Sequence, residues 1–91
     1  MTTRASTEFG EQLIGFIQDA IATADDPIDV DTDLLMTGLV DSLGVILIVD
    51  WLEEQLEIEI DPGDVTLENF RYVSDMLDYL ARRDAISGAH A

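Results

Sequence analysis

The chain has 91 residues and a formal net charge of −16, because 20 acidic residues face only four arginines and no lysine. This length predicts one small domain with a single modest core, and an apolar content of 47% is sufficient to build it. The absence of cysteine excludes disulfides, zinc–thiolate sites and cysteine nucleophiles.

The acidic charge bears on the partners that the protein can have. Such a surface repels nucleic acid and anionic membranes, and it attracts basic patches on other proteins. A solvated coat that only keeps the protein soluble is the other interpretation, and charge alone does not choose between them. Without a membrane-length apolar run or a signal-peptide pattern, we expect a soluble, cytoplasmic monomer that binds neither nucleic acid nor membranes.

The N-terminal part of the chain predicts a first helix. Residues 1–6 read as a flexible leader, and Thr7 is suited to the N-cap position of a helix over Glu8–Ala22. The apolar residues that recur there at helical spacing are Phe9, Leu13, Ile14, Ile17 and Ile21.

A long connection, Asp25–Leu39, follows this helix. Its turn-forming ends predict a loop, but apolar side chains are scattered through it. We therefore expect the loop to pack against the helices. Its apolar residues are Ile28, Val30, Leu34, Leu35, Met36 and Leu39.

The second predicted helix, Ser42–Glu57, has Asp41 as its N-cap and more apolar residues than one buried face needs. The residues assigned to the core are Leu43, Ile46, Val49, Leu52 and Leu56. The residues left over on the flanks are Val45, Leu47, Ile48 and Trp51. Trp51 is either a buried core residue or part of an exposed apolar patch ringed by Asp50, Glu53 and Glu54.

The C-terminal third predicts shorter elements. Ile58–Ile60 alternates like a strand but has no evident partner strand, so we interpret it as an extended linker. Thr66–Phe70 predicts one short helical turn, and a last helix from Val73 ends near Arg82 and Arg83. Residues 84–91 are predicted to form a flexible tail, and the only histidine, His90, lies in it, which argues against histidine chemistry.

Enzymatic and metal sites find little support in these residues. Asp29, Asp31 and Asp33 are spaced as in a calcium-binding loop, but the glycine and the final glutamate of that motif are replaced by Leu34 and Val40. A serine-hydrolase elbow around Ser42 lacks its first glycine and has no histidine base. The many carboxylates are not singled out by any cleft for acid–base catalysis.

Ser42 fits a different role. The backbone N–H groups of a first helical turn are unpaired, and the positive end of the helix dipole favours an anion there. A serine at this position is well placed to carry a phosphate ester, although an ordinary capping or first-turn serine would show the same local pattern.

Four segments together strongly resemble the acyl carrier proteins and the related peptidyl carrier domains. They are residues 38–44 (GLVDSLG), 52–60 (LEEQLEIEI), 65–70 (VTLENF) and 73–80 (VSDMLDYL). The resemblance implies an all-α, acyl-carrier-like four-helix bundle, with three main helices, one short helix and a long first loop, over residues 7–83.

The resemblance also implies a non-catalytic carrier. Ser42 would receive 4′-phosphopantetheine from coenzyme A through a phosphopantetheinyl transferase, and the thiol of that group would hold an acyl or aminoacyl thioester. An adenylating acyl or aminoacyl ligase would load it, and a downstream synthase or transferase would accept the cargo. The residues expected to contact such partners are Asp41, Leu43, Leu47, Ile48, Trp51, Glu53 and Glu54.

Two departures from the family pattern bear on the pathway. Carriers of fatty-acid synthesis typically have acidic residues two and five positions after the serine, where this chain has Gly44 and Leu47. A specialised polyketide, nonribosomal or ligase-loaded pathway is therefore the preferred interpretation. The alternatives are a housekeeping fatty-acid-synthesis carrier and an unmodified acidic helical adaptor.

Overall fold

The computed structural model describes residues 6–21 and 27–86, and these residues form a small helical bundle. The α-helices are α1 (Ser6–Ala20), α2 (Ser42–Leu56), α3 (Leu67–Phe70) and α4 (Val73–Arg82). A single 3-10 turn, Pro62–Asp64, precedes α3. The predicted class is confirmed: three main helices and one short helix form an acyl-carrier-like bundle with a long first loop.

The first helix differs from its predicted bounds at both ends. It begins at Ser6, so Thr7 lies inside the helix and not at its N-cap, and it ends at Ala20. Of the predicted leader, residues 1–6, the first five lie outside the described residues, and Ser6 belongs to α1. Phe9, Leu13 and Ile17 are fully buried and form the inner face of α1.

Local capping signals fix the ends of α2. The carboxylate of Asp41 accepts a hydrogen bond of 2.9 Å from the N–H of Gly44, so Asp41 is the predicted N-cap. At the other end Glu57 adopts the left-handed conformation, with φ 53°, and donates its N–H to the carbonyl of Glu53. The predicted bounds are correct to within one residue.

The face that α2 buries is not the predicted one. Gly44, Ile48 and Leu52 are buried, whereas Leu43 and Ile46, which are predicted core residues, are 65% and 56% exposed. The reason is geometric. Residues three apart drift by about 60° around a helix at each step, so the 43–46–49–52 series winds from the outside to the inside. The four-residue series 44–48–52 stays close to one line and forms the buried face.

The long first loop packs against the bundle, as predicted. Ile28 and Leu34 are buried, Leu35 and Leu39 are partly buried, and Met36 is exposed. Two backbone hydrogen bonds tie the loop to the other end of the chain. They join the N–H of Leu34 to the carbonyl of Arg71 at 2.9 Å and the N–H of Ser74 to the carbonyl of Val30 at 3.0 Å.

The second connection is also held by specific contacts. The N–H of Ile60 donates to Glu53 Oε2 at 2.7 Å, and the side chain of Ile60 is buried, so the predicted extended linker is anchored. Thr66 caps α3 by accepting from the N–H of Asn69 at 3.3 Å. The 3-10 turn is not predicted from the sequence, because a single turn leaves no periodic pattern.

The packed domain extends beyond the predicted boundary at residue 83. Ile86 is only 2% exposed and belongs to the core, so the prediction that the tail begins at residue 84 is wrong for this residue. One large apolar side chain after three charged residues and an alanine carries no periodicity, but it can still fill a gap in the core. Residues 87–91, including His90, lie outside the described part of the chain.

Candidate functional site

Ser42 is the first residue of α2, and its side chain is exposed. Its hydroxyl has no hydrogen-bond partner among the described residues, because the capping role belongs to the neighbouring Asp41. Ser42 therefore combines a free hydroxyl with a fixed position at the tip of a 15-residue helix. Ser42 does not cap the helix, and its position is that of a first-turn serine.

The residues on either side of Ser42 fix the start of α2. Val40 is buried two residues before the serine, and Gly44 is buried two residues after it. A Cβ at Gly44 would lie 2.7 Å from Ile21 Cγ2 and 2.8 Å from Val40 Cγ1, which is closer than non-bonded carbon atoms approach each other. Only glycine lets the helix start pack this closely onto the end of α1.

The surroundings of Ser42 suit an attached phosphate. The N–H groups of Ser42 and Leu43 have no hydrogen-bond acceptor among the described residues, and they lie at the positive end of the α2 dipole. The carboxylate of Asp41 is the opposing negative group, and its hydrogen bond turns it toward the N–H of Gly44. The residues present therefore fit a phosphodiester on Ser42.

An open apolar depression of about 340 Å³ adjoins Ser42 between the first loop, α2 and α3. Its lining residues besides Ser42 are Leu35, Val45, Ile46, Val65, Thr66, Leu67 and Phe70. Sequence patterns do not connect these residues as one site, because they come from three distant segments. The exposed Ile46 and Leu67 are the signal that could have found it, since folding alone does not require them there.

The structure divides the residues that we expected to contact partners. Asp41, Leu43, Leu47 and Glu54 are exposed, and Leu43 and Leu47 lie on the outer face of α2. Ile48 is 1% exposed and is a core residue, so its expected role in partner contact is wrong. It lies four residues from both Gly44 and Leu52, and this places it on the buried line of the helix.

Trp51 and Glu53 have mixed roles. Trp51 is partly buried and stacks on Phe16 of α1, with ring centroids 5.0 Å apart. Neither interpretation left open by the sequence is complete, because the ring contacts Phe9 and Phe16 and still remains partly accessible. Glu53 is partly buried, and one of its oxygens accepts from the N–H of Ile60.

The acidic loop uses its carboxylates for its own structure. Asp29 accepts from the N–H of Asp31 at 2.8 Å, and Asp33 accepts from the N–H of Met36 at 3.0 Å. Arg71 donates two hydrogen bonds to Asp33, and this contact lowers the pKa of the carboxyl below its usual value. Within residues 6–21 and 27–86, no group of three or more metal-ligating side chains is arranged to hold an ion.

Tyr79 of α4 is a second residue whose pKa is shifted. Burial raises the pKa of the Tyr79 hydroxyl, and the hydrogen bond of 2.7 Å that it donates to Asp64 adds to this effect. This contact joins α4 to the turn before α3.

The helices of the described chain are all too short or too polar to cross a membrane.

Comparisons with known proteins agree with this geometry. The family model described as "Phosphopantetheine attachment site" matches residues 11–80, which include α2, the apolar depression and most of α4. Neither the curated proteins nor the solved structures give a significant match. The family match covers well over half of the chain, and it identifies the domain as a site for covalent attachment of 4′-phosphopantetheine. The protein therefore belongs to the phosphopantetheine attachment family of carrier domains, which includes the acyl and peptidyl carrier proteins.

Proposed function

We propose that Ser42 is the attachment residue, and that the chain carries acyl or aminoacyl intermediates between the enzymes of a specialised biosynthetic pathway. The observation that carries this proposal is the exposed hydroxyl of Ser42 at the start of α2, which has no hydrogen-bond partner within residues 6–21 and 27–86. The matched region holds one other serine, Ser74, which is partly buried in the first turn of α4.

The chemistry required of this chain is small. The oxygen of Ser42 forms a bond to phosphorus, the pyrophosphate bond of coenzyme A breaks, and its nucleotide half leaves. The proton of the hydroxyl passes to a base of the transferase, because the neighbouring carboxylate of Asp41 is turned toward the N–H of Gly44. The attached group supplies a terminal thiol that holds the cargo as a thioester, which explains how a chain without cysteine can take part in thiol chemistry.

The chain acts as a scaffold and not as an enzyme in this proposal. The N–H groups at the start of α2 favour the phosphodiester, and the apolar depression offers a surface for the arm or its cargo. The exposed face of α2 meets the partner proteins in turn: a phosphopantetheinyl transferase, an adenylating acyl or aminoacyl ligase, and a downstream synthase or transferase. Carrier domains of this family interact in general with transferases and synthases.

The two departures from the fatty-acid-synthesis pattern support a specialised pathway. Gly44 is buried against Ile21 and Val40, so an acidic residue could replace it only if these two side chains moved. Leu47 is 42% exposed, so an apolar side chain occupies a position on the outer face of α2. A partner that selects this carrier therefore meets leucine where a housekeeping carrier would offer a carboxylate.

Enzymatic loading tests the attachment residue. The full chain is incubated with coenzyme A and a broad-specificity transferase, and its intact mass is measured. We expect one phosphopantetheine on the wild type and on Ser74→Ala, and none on Ser42→Ala. Loading of Ser42→Ala, or no loading of a folded wild type, would overturn the proposal.

Exchange of Leu47 tests the kind of pathway. We expect the loaded wild type to be a poor substrate for a fatty-acid-synthesis acyltransferase, and Leu47→Glu to improve kcat/KM several-fold. Val30→Glu adds the same charge at an exposed position of the first loop and should have no effect. A wild type that already reacts as well as a housekeeping carrier would favour that alternative.

A further inference from the structure

The apolar depression next to Ser42 contains one further polar side chain. Among the described residues that line it, only Ser42 and Thr66 are polar, and the other six are apolar. Its volume of about 340 Å³ is at the lower end of the roughly 300–1,000 Å³ that is typical of sites for small molecules. Such sites are mostly apolar and use a few polar groups to orient the ligand. Thr66 is the residue that can orient a ligand here.

The hydroxyl of Thr66 has a proton to donate. Its oxygen accepts a hydrogen bond of 3.3 Å from the N–H of Asn69, because Thr66 is the N-cap of α3. A threonine hydroxyl can accept and donate at the same time, and this one finds no acceptor for its proton among the described residues. The bond to Asn69 also fixes the oxygen before any ligand binds. A matching ligand therefore offers an acceptor, such as a carbonyl oxygen.

The depression begins at the attachment residue. Val45 and Ile46 lie three and four residues after Ser42, so they occupy the next turn of α2 on the same side. A group attached to Ser42 can therefore run along these two side chains from its first atoms. Ile46 of α2 and Leu67 of α3 are 56% and 47% exposed, and a group that covers them would remove apolar surface from water.

We propose that the 4′-phosphopantetheine arm on Ser42, and not its cargo, lies in this depression, and that the hydroxyl of Thr66 donates a hydrogen bond to an amide carbonyl of the arm. This inference rests on the proposed function, because it takes Ser42 as the attachment residue. The arm has two amides that supply the acceptor, and a branched segment whose methyl groups can cover Ile46 and Leu67. The hydrocarbon chain of a cargo would instead displace water from Thr66 without replacing its hydrogen bond. The active site of a partner must then compete with the depression for the arm.

Variants of Thr66 test the contact in the apo and the loaded protein. Thr66→Val keeps the shape of the side chain and removes the hydroxyl, whereas Thr66→Ser keeps both the cap and the donor. Loss of the cap affects both forms alike, so the difference between their midpoints of thermal unfolding isolates the contact with the arm. We expect this loaded-minus-apo difference to be lower in Thr66→Val than in the wild type by roughly 2–6 °C, and unchanged in Thr66→Ser. Thr37→Val removes an exposed hydroxyl that does not line the depression and should also leave it unchanged.

An altered arm tests the acceptor. Analogues of coenzyme A with a trans-alkene in place of one or the other amide keep the shape of the arm and offer no carbonyl at that position. On the wild type, one of these arms should lower the loaded-minus-apo difference as much as Thr66→Val does with the natural arm. On Thr66→Val the same arm should cause no further loss, because the two changes remove one hydrogen bond.

NMR distinguishes the arm from its cargo. Loading without a cargo should move the methyl signals of Ile46 and Leu67 more than those of Leu47, which does not line the depression. Addition of an octanoyl thioester to the arm should then leave the signals of Ile46 and Leu67 nearly where they are. In Thr66→Val the displacement on loading should be smaller than in the wild type.

The outcomes separate this inference from the proposed function. A folded wild type that cannot be loaded would refute the proposed function and this inference with it. If the wild type is loaded, equal loaded-minus-apo differences in the wild type and Thr66→Val would overturn the inference and leave the carrier function intact. Methyl signals of Ile46 and Leu67 that move only after acylation would overturn it as well, because the depression would then hold the cargo.

Discussion

Helices α2 and α4 use their apolar residues in opposite ways. In α4, Val73, Met76 and Leu80 are all fully buried, and the exposed positions include Asp78 and Arg82. In α2 a buried line of the same kind exists, but a second set of large apolar side chains lies on the outside. This outer set consists of Leu43, Ile46 and Leu47.

The difference shows that the sequence of α2 meets a requirement other than folding stability, whereas that of α4 does not. Burial of its apolar face accounts for every large apolar residue of α4, so stability alone explains its pattern. The outer set of α2 leaves about half of its side-chain surface or more in contact with solvent, and a cluster of this kind typically marks an interaction surface. Ser42 begins the same helix, which agrees with a surface that meets partners while they act on an attached group.

The largest expected effect comes from placing the same charge on the buried and on the exposed face of α2. Gly44→Asp buries a carboxylate without a partner against Ile21 and Val40, and should lower the free energy of unfolding by about 3–5 kcal/mol. Leu47→Asp places the charge in water and should change it by less than about 0.5 kcal/mol. Urea denaturation of both variants measures the difference, and equal losses would contradict the assignment of the two faces.

Truncation of leucines compares the two helices directly. Leu80→Ala should cost about 3 kcal/mol, because it leaves a cavity in the core of the bundle. Leu43→Ala removes an exposed side chain and should cost less than about 0.5 kcal/mol. The measurement is the free energy of unfolding in urea. A loss at Leu43 as large as that at Leu80 would mean that the outer set of α2 supports the fold.

The same contrast explains how far the sequence predicts this structure. The end signals are local, so Asp41 and Thr66 predict the starts of α2 and α3 without knowledge of the rest of the chain. The pattern of α4 alternates cleanly between apolar and polar faces and predicts its burial. The position of Ser42 follows from the local motif as well, because a cap and a first turn involve only neighbouring residues.

The register of α2 could not be predicted in the same way. Apolar residues surround most of this helix, so periodicity does not choose between the line through Ile48 and the line through Ile46. The contact of Phe16 with Trp51 was also missed, although Phe16 is a surplus apolar residue next to the buried Ile17 of α1. Contacts such as Arg71 with Asp33 join residues 38 positions apart, and no local rule reports them.

Trp51 is intermediate in exposure between the buried and the exposed apolar residues of α2. Trp51→Ala should cost about 2 kcal/mol, less than the 3–5 kcal/mol of a fully buried aromatic residue, because part of the ring is already accessible. Trp51→Phe keeps the contact with Phe16 and should cost less than half as much. Urea unfolding measures both values. A loss above about 4 kcal/mol for the alanine variant would make Trp51 a purely structural residue.

The smallest expected change in stability concerns the ion pair that attaches the first loop to the rest of the bundle. Asp33 and Arg71 are bound at 2.7 Å with side chains 20% and 38% exposed, so solvent screens the pair. The pKa of Asp33 is lowered in the folded protein from its ordinary value of 3.8. The stabilisation is therefore fully present above that ordinary value, and it is lost as the pH falls through the lower pKa of the folded state.

Asp33→Asn should accordingly lower the urea midpoint slightly near pH 7, and the difference from the wild type should shrink below about pH 4. Added salt should shrink it as well. Asp78→Asn is the control, because Asp78 is exposed and forms no ion pair with a described residue. A difference that stays constant down to pH 3 would show that the hydrogen-bonding shape of Asp33, and not its charge, holds the loop against the start of α4.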